Sequence, residues 1–332
     1  MNGLADILDN KVVLVTGGTG SFGKNFVKFL LSNCKCKKII IFSRDELKQF
    51  QIGREMNSND NLRFFLGDIR DLARLERAFD GVDVIVHAAA LKQVDTIEYN
   101  PFEAVKTNIL GSQNVIDAAI NKGVEKVLLI STDKASQPSN LYGSTKLCAE
   151  KLFVSANTFS KGKTKFSCVR YGNVIASRGS IIEVLLQSQN DEKVYITDER
   201  MTRFWITLER SFQLVSFALR YMEGGEIFIP KLPSMKLVDV FDAVVPGVKR
   251  EIIGIKGGEK LHEVLLSNEE ARHAVEINDY YIVLRDSKYF PKDLYKKYYM
   301  HGKKLSPDFL LVSNLNDKWL TVKELRGILN LE

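Results

Sequence analysis

Val12-Val-Leu-Val-Thr-Gly17-Gly-Thr-Gly20-Ser-Phe-Gly23 is the stretch on which the fold turns. A short apolar, β-branched run leads into three glycines spaced G-x-x-G-x-x-G, and a helix-like segment follows. Gly17 permits a tight turn out of a strand, Gly20 lets backbone approach a pyrophosphate, and Gly23 lets the helix pack on the strand. A helix N-terminus at that point offers free N–H groups and a positive dipole end to phosphates. Gly17, Thr19, Gly20, Ser21, Phe22 and Gly23 are therefore the candidate phosphate-loop residues.

Outward from this loop the chain alternates. Short apolar runs at Val12–Val15, Lys38–Phe42, Leu62–Leu66, Asp83–Val86, Lys126–Ile130 and Phe166–Arg170 are separated by helix-like stretches at Ser21–Ser32, Asp45–Met56, Asp71–Phe79, Pro101–Lys122 and Asn140–Phe159. Strands that are apolar throughout and spaced by helices predict a parallel sheet covered on both faces, an α/β doubly wound architecture whose ligands bind at the strands' carboxyl ends. After Gly172 the rhythm breaks, resuming with a helix at Ile206–Met222 and a strand at Glu226–Pro230. The expected division is a Rossmann-type domain of residues 1–172 plus about 206–230, with 173–205 and 231–332 forming a smaller interwoven substrate-binding lobe. No linker rich in Pro, Gly or Ser separates the two.

The 332 residues, 45% hydrophobic, suffice for a large core. The 47 basic and 41 acidic residues leave a net charge of +6, a weak bias that suits an anionic small ligand. No run of like charges and no basic stripe interleaved with aromatics is present, which argues against nucleic acid. The N-terminus lacks the features of a signal peptide, and apolar runs such as Val127–Ile130 fall far short of the roughly 20 residues of a spanning helix, so a cytoplasmic protein with no membrane association is expected. Cys34, Cys36, Cys148 and Cys168 lack metal-site spacing and read as reduced structural thiols; no metal site is expected.

At the end of the second strand, Ser43-Arg44-Asp45 admits two readings. Arg44, helped by Lys48, favours the 2′-phosphate of NADP; Asp45 could instead bind the ribose of NAD or cap the next helix. Asp68, followed by Ile69, ends strand three and meets the adenine edge or caps a helix.

Thr132-Asp133-Lys134 ends strand five, and Tyr142-Gly-Ser-Thr-Lys146 follows. Tyr142 and Lys146 are four apart and share a helix face. An ammonium and a nicotinamide ring nearby are expected to lower the phenol's pKa so that it removes a proton from an alcohol as hydride leaves. Asp133 and Lys134 add a second acid/base pair, with burial expected to keep the carboxyl protonated and the amine neutral. A surface ion pair is the bland alternative for those two. Thr132 is expected to bond the substrate oxygen or to be a structural threonine, and Lys92, beyond strand four, reaches sugar or phosphate or is solvated.

The glycine loop, His87-Ala-Ala-Ala90, Ser131-Thr132 and Tyr142-x-x-x-Lys146 together resemble the extended short-chain dehydrogenase/reductase family. Ser43-Arg-Asp-Glu46, Thr132-Asp-Lys134, Asn140-Leu-Tyr-Gly143, Met201-Thr-Arg-Phe-Trp205 and Gly258-Glu-Lys-Leu-His-Glu263 resemble its inverting UDP-N-acetylglucosamine 4,6-dehydratases of the PseB type, over about Lys11 to Glu276 and more loosely beyond. The resemblance implies a hydro-lyase using NADP and UDP-N-acetylglucosamine, with oxidation at C4, deprotonation at C5, loss of water from C6, hydride return to C6 and inversion at C5. It implies Asp133, Lys134, Tyr142, Lys146 and Thr132 as catalytic residues. To the cofactor residues it adds Ala88, Ala89, Ala90, Lys92, Asn108 and Tyr171. For substrate it implies Lys92, Thr132, Asn173, Val174, Arg178, Ser180, Thr197, Arg203, Lys256 and Glu259, with Asn173 and Arg178 at the diphosphate and Arg203, Lys256 and Glu259 near the uridine. Relatives carry arginine where Lys256 stands and often histidine at Gln93. A homo-oligomer, dimer or hexamer, is implied, and a place in pseudaminic acid or another deoxy-sugar synthesis. The rival readings are a UDP-sugar 4-epimerase on the same fold, which needs no pair at 133–134, and a non-catalytic NADP-binding sensor.

Overall fold

The computed structural model describes residues 4–56, 59–285 and 292–331. Six parallel strands follow the expected alternation: β1 (Val12–Thr16), β2 (Lys38–Ser43), β3 (Leu62–Leu66), β4 (Val84–His87), β5 (Lys126–Ile130) and β6 (Lys165–Val169). With β7 (Ile227–Pro230), β8 (Ala274–Ile277), β9 (Tyr280–Val283) and β10 (Lys303–Lys304) they build one ten-stranded sheet in the order β10-β8-β9-β7-β6-β5-β4-β1-β2-β3. All five residues of β1 are buried, as a strand covered on both faces requires. The order reverses between β1 and β4, which opens a crevice at the strands' carboxyl ends.

Three helix starts fall one residue later than the sequence suggests and a fourth, at Leu208, two later, because the polar residue ahead of each is a cap. Asp45, Asp71, Asn140 and Thr207 each accept the N–H three residues on, from Lys48, Arg74, Gly143 and Arg210 at 2.9, 3.0, 2.9 and 3.2 Å. The single helix expected over Pro101–Lys122 is instead broken into Pro101–Ala104, a π-helical turn at Val105–Leu110, and Gly111–Lys122. Such an insertion is common at functional sites. Here it turns Asn108 inward, where the amide clamps the Leu91 backbone, accepting from its N–H at 2.8 Å and donating to its carbonyl at 2.9 Å.

The smaller lobe has its own core around Trp205, Met235, Val240 and Phe241. Its three-stranded sheet joins Ser234–Lys236, Thr202–Ile206 and Asn173–Val174. One part of the expected lobe belongs elsewhere. Residues 274–283 extend the central sheet, with β9 antiparallel to β7. The tyrosines that disguised this strand are structural, since Tyr280 stacks on Phe217 with ring centroids 4.0 Å apart. Residues 1–3, 57–58, 286–291 and 332 of the expected division lie outside the described residues.

Arg170, fully buried just beyond β6, ties the halves together. It binds Glu150 of the Leu141–Ala156 helix at 2.6 Å and Glu270 at 2.8 Å. Paired, two-pronged contacts of this kind are what make a buried guanidinium tolerable. Four free thiols are present, Cys36 and Cys168 among the buried residues. No helix among the described residues is long and apolar enough to cross a membrane.

Candidate active site

The glycine loop is built for close approach. Gly17 has φ +65°, and a Cβ there would stand 2.8 Å from the backbone of Ala89. At Gly23 a Cβ would fall 2.5 Å from the Gly17 carbonyl oxygen. Gly23→Ala is accordingly expected to cost about 1–3 kcal/mol by overpacking and to weaken dinucleotide binding, read by thermal melting and by fluorescence titration. The Ser21–Asn33 helix begins at Gly20 with no side-chain cap, so its first N–H groups remain available to an anion.

A groove of about 470 Å³ runs from this loop across the carboxyl ends of the strands, lined by Gly17, Thr19, Ser43, Arg44, Lys48, Asp68, Ile69, Ala89 and Ala90 among others. These are sequence-predicted cofactor residues, and a dinucleotide fits the donor set. Arg44 reaches Asp68 at 3.5 Å with half its side chain exposed. Asp45 is both the helix cap and the partner of Lys48, whose hydrogen bond, with that of its own backbone, holds the carboxyl below its usual range. Burial pushes Asp68 up, but hydrogen bonds from Arg70 and the charge of Arg44 outweigh it and hold the carboxyl low.

Four expected cofactor residues sit differently. The Phe22 ring packs on Phe26 and Phe212, with centroids 5.5 and 5.7 Å away, leaving only its backbone toward the loop. The Asn108 amide is engaged with the Leu91 backbone and donates to the Thr145 hydroxyl at 3.0 Å. Lys92 donates to the Arg178 carbonyl at 2.9 Å. Tyr171 is buried, and its carbonyl accepts the Asp133 N–H at 2.9 Å.

The catalytic candidates converge where β5 ends. Thr132 donates to Asp133 Oδ1 at 2.9 Å and caps the short Asp133–Ala135 turn. Its hydroxyl also works against the upward shift that burial gives the Tyr142 phenol. Asp133 is fully buried, and its Oδ2 has no hydrogen-bond partner. Lys134 Nζ stands 3.1 Å from Asp133 Oδ1, 3.4 Å from Asn173 Oδ1 and 3.5 Å from Glu263 Oε1. Gly143, at the foot of the tyrosine helix, lets that helix come close, since a Cβ there would fall 2.1 Å from the Lys134 carbonyl oxygen.

Two electrostatic expectations are corrected. Burial favours an uncharged amine at Lys134, but Asp133 and Glu263 outweigh it and raise its pKa, so the amine is held as ammonium. Tyr142 is pushed up to about 12 by burial; Lys134 is the cation that opposes this. Lys146 instead donates to the Ile130 carbonyl at 2.9 Å, and burial lowers it to about 8, partly offset by Glu150. Asp133 behaves as expected, raised by burial.

Among the substrate candidates, Asn173 meets Lys134 rather than standing apart from the acid/base pair. Arg203 is buried against Glu263 at 3.8 Å and the Leu261 carbonyl at 3.1 Å, close to Lys134. Arg178 closes the wall over the glycine loop, its N–H donating to Ser21 Oγ at 3.2 Å. Ser180 caps the Ile181–Gln187 helix, and Thr197 donates to the Met201 sulfur at 3.2 Å. Val174 lies on the strand paired with Thr202–Ile206. Lys256 and Glu259 bond each other on an exposed loop, whose Gly258 carbonyl docks on Ser139 and Asn140. Sequence reasoning quoted Glu263 inside a motif without giving it a role. A carboxylate directly before the apolar Val264–Leu266 strand was the available signal.

A dinucleotide-type glycine loop with a Tyr-x-x-x-Lys pair, its lysine buried, defines a short-chain dehydrogenase/reductase site. Residues 13–285 match the family described as polysaccharide biosynthesis protein, and the chain belongs to that family. It is 47% identical to the UDP-N-acetylglucosamine 4,6-dehydratase (inverting) of Campylobacter jejuni subsp. jejuni serotype O:23/36 (strain 81-176), covering 98% of each chain. It is 41% identical to a UDP-glucose 4-epimerase of Rickettsia felis, covering 96% of this chain and 95% of that one. Among solved structures, Pen from Bacillus thuringiensis superposes with TM-score 0.88 at 37% identity, over 97% of this chain and 98% of that one.

Proposed function

We propose that this protein is an inverting UDP-N-acetylglucosamine 4,6-dehydratase, a hydro-lyase that forms UDP-2-acetamido-2,6-dideoxy-β-L-arabino-hex-4-ulose. The observation that carries the reading is the gathering of Asp133 and Lys134, 3.1 Å apart, beside Tyr142 at the carboxyl end of β5. The full-length likeness to an inverting dehydratase supports it.

When bound in the groove, a nicotinamide dinucleotide supplies hydride acceptance at C4 and hydride return at C6. Tyr142 takes the proton of the 4-hydroxyl, and Thr132 holds the resulting 4-oxygen. Lys134 passes a proton to Asp133 across their 3.1 Å contact and, as the neutral amine, takes the C5 proton, made acidic by the adjacent carbonyl. Asp133, whose buried carboxyl favours the protonated form, delivers a proton to the departing C6 oxygen. Return of a proton to C5 from the other face inverts that centre. Lys146 and the Gly17–Gly23 loop hold the dinucleotide, and the Arg178 and Lys256/Glu259 walls receive the UDP.

NADP is the proposed cofactor because Arg44 is half exposed and held by one long contact, free to meet a 2′-phosphate. Arg44→Ala should weaken NADP relative to NAD by at least about tenfold, the scale of one charge-assisted hydrogen bond. Equal loss for both dinucleotides in a fluorescence titration would contradict that choice. Incubation with UDP-N-acetylglucosamine tests the activity itself. A 4-keto product absorbing in alkali is expected; UDP-N-acetylgalactosamine would establish the epimerase instead, and no turnover with dinucleotide bound would establish a sensor.

A further inference from the structure

Glu263 stands where the Gly258–Glu263 segment enters a buried strand, and its side chain is only 4% exposed. Ser313 fixes its backbone on both sides, accepting the Glu263 N–H through Oγ at 2.9 Å and donating its own N–H to the Glu263 carbonyl at 2.9 Å. Oε1 lies 3.5 Å from Lys134 Nζ and 3.8 Å from Arg203 Nε. Oε2 lies 3.7 Å from Lys260 Nζ and has no hydrogen-bond partner. Lys134, Arg203 and Lys260 therefore face this carboxylate, and Asp133 shares Lys134 with it. A carboxylate kept merely for structure would saturate its oxygens with short bonds. This one is set at long range against an amine that reacts.

We infer that Glu263 is a positioning residue for the elimination: its carboxylate holds Lys134 beside Asp133, and its fixed charge sets how many protons that pair keeps. The inference rests on the dehydratase reading. A negative charge this close favours the protonated forms of both neighbours. Lys134 reaches the neutral amine by passing a proton across the 3.1 Å contact to Asp133 Oδ1. The C5–H bond then breaks, its proton joining the Lys134 amine and its electron pair forming the C5–C6 double bond. The C6–O bond breaks with its electrons on oxygen, which takes the Asp133 proton and leaves as water. Lys134 ends as ammonium and Asp133 as carboxylate, and Glu263 stabilises the positive charge as it develops.

Glu263→Gln keeps the shape and removes the charge. Both limbs of the pH dependence of kcat belong to the coupled pair. Both are expected to move toward acid, by about one pH unit, with KM for UDP-N-acetylglucosamine unchanged. Glu263→Asp should bring the profile at least halfway back. A Gln profile superimposable on the wild type, or a shift that Asp fails to reverse, overturns the inference. Should the Gln variant not fold, ¹⁵N-lysine NMR of the wild-type holoenzyme decides. The Lys134 signal should stay that of an ammonium above the ordinary lysine value of about 10.4, and an amine signal at neutral pH overturns it. If the wild type makes no 4-keto sugar, the functional reading has failed, and the Lys134 signal compared between wild type and Glu263→Gln still judges Glu263.

Discussion

Lys134→Ala should lower 4-keto sugar formation by about 10²–10⁴-fold, the contribution of one general base, while dinucleotide binding is retained. The amine sits at the end of β5, three-quarters buried, with Asp133 at 3.1 Å and Glu263 at 3.5 Å. Its nitrogen is in reach of both carboxylates of the cluster, whereas Lys260 donates to the Ser136 carbonyl at 2.9 Å and stands 3.7 Å from Glu263. Because the C4 oxidation does not need Lys134, a single turnover should still show the near-ultraviolet absorbance of reduced nicotinamide, followed by stalling. Removing the amine also leaves two buried carboxylates without its charge. Burial already disposes Asp133 to hold a proton, which relieves one of them, so the variant should fold with a lowered melting temperature. Unchanged turnover would remove Lys134 from the mechanism.

Tyr142→Phe should be at least as damaging, and at an earlier step. It deletes one hydroxyl, yet the base for the 4-hydroxyl goes with it, so no nicotinamide reduction should appear even in a single turnover. The expected loss is again about 10²–10⁴-fold or more. The contrast between the two variants carries the information, since Lys134→Ala stalls after hydride leaves and Tyr142→Phe stalls before. The pH dependence has a definite sign. Burial holds the phenol at about 12, so its phenolate fraction grows as pH rises through the alkaline range. The wild-type rate of nicotinamide reduction should therefore increase toward alkaline pH, and a rate that falls there would contradict Tyr142 as the base.

The parts of the site that could be read from the chain are the local ones. Gly17, Gly20 and Gly23 declare a loop within seven positions, and Tyr142 and Lys146 share a face because a helix repeats every 3.6 residues. The parallel order followed from unbroken apolar strands. What escaped reading depends on distant partners. Lys134 looked like a buried amine that would shed its proton; Asp133 beside it and Glu263, far along the chain, reverse that expectation. Tyr142 looked coupled to Lys146, but the Lys146 amine is occupied by the Ile130 carbonyl. The π-helical turn at Val105–Leu110 leaves no periodic signature, so the clamp of Asn108 on the Leu91 backbone was not legible. The β8–β9 pair was assigned to the lobe because Tyr280 and Tyr281 obscure its alternation, and only pairing with β7 reveals it. Arg44 and Asp45, rivals in the sequence, divide their work in space: one faces Asp68, the other caps a helix.

The central claim is that Tyr142, Asp133 and Lys134 work in turn on a single hexose ring. A proton NMR time course with UDP-N-acetylglucosamine in deuterated water tests it most directly. The account predicts a 4-keto, 6-deoxy product with deuterium at C5 and the L-arabino configuration there. A product that keeps its 6-hydroxyl and its original C5 proton, epimerised only at C4, would contradict it.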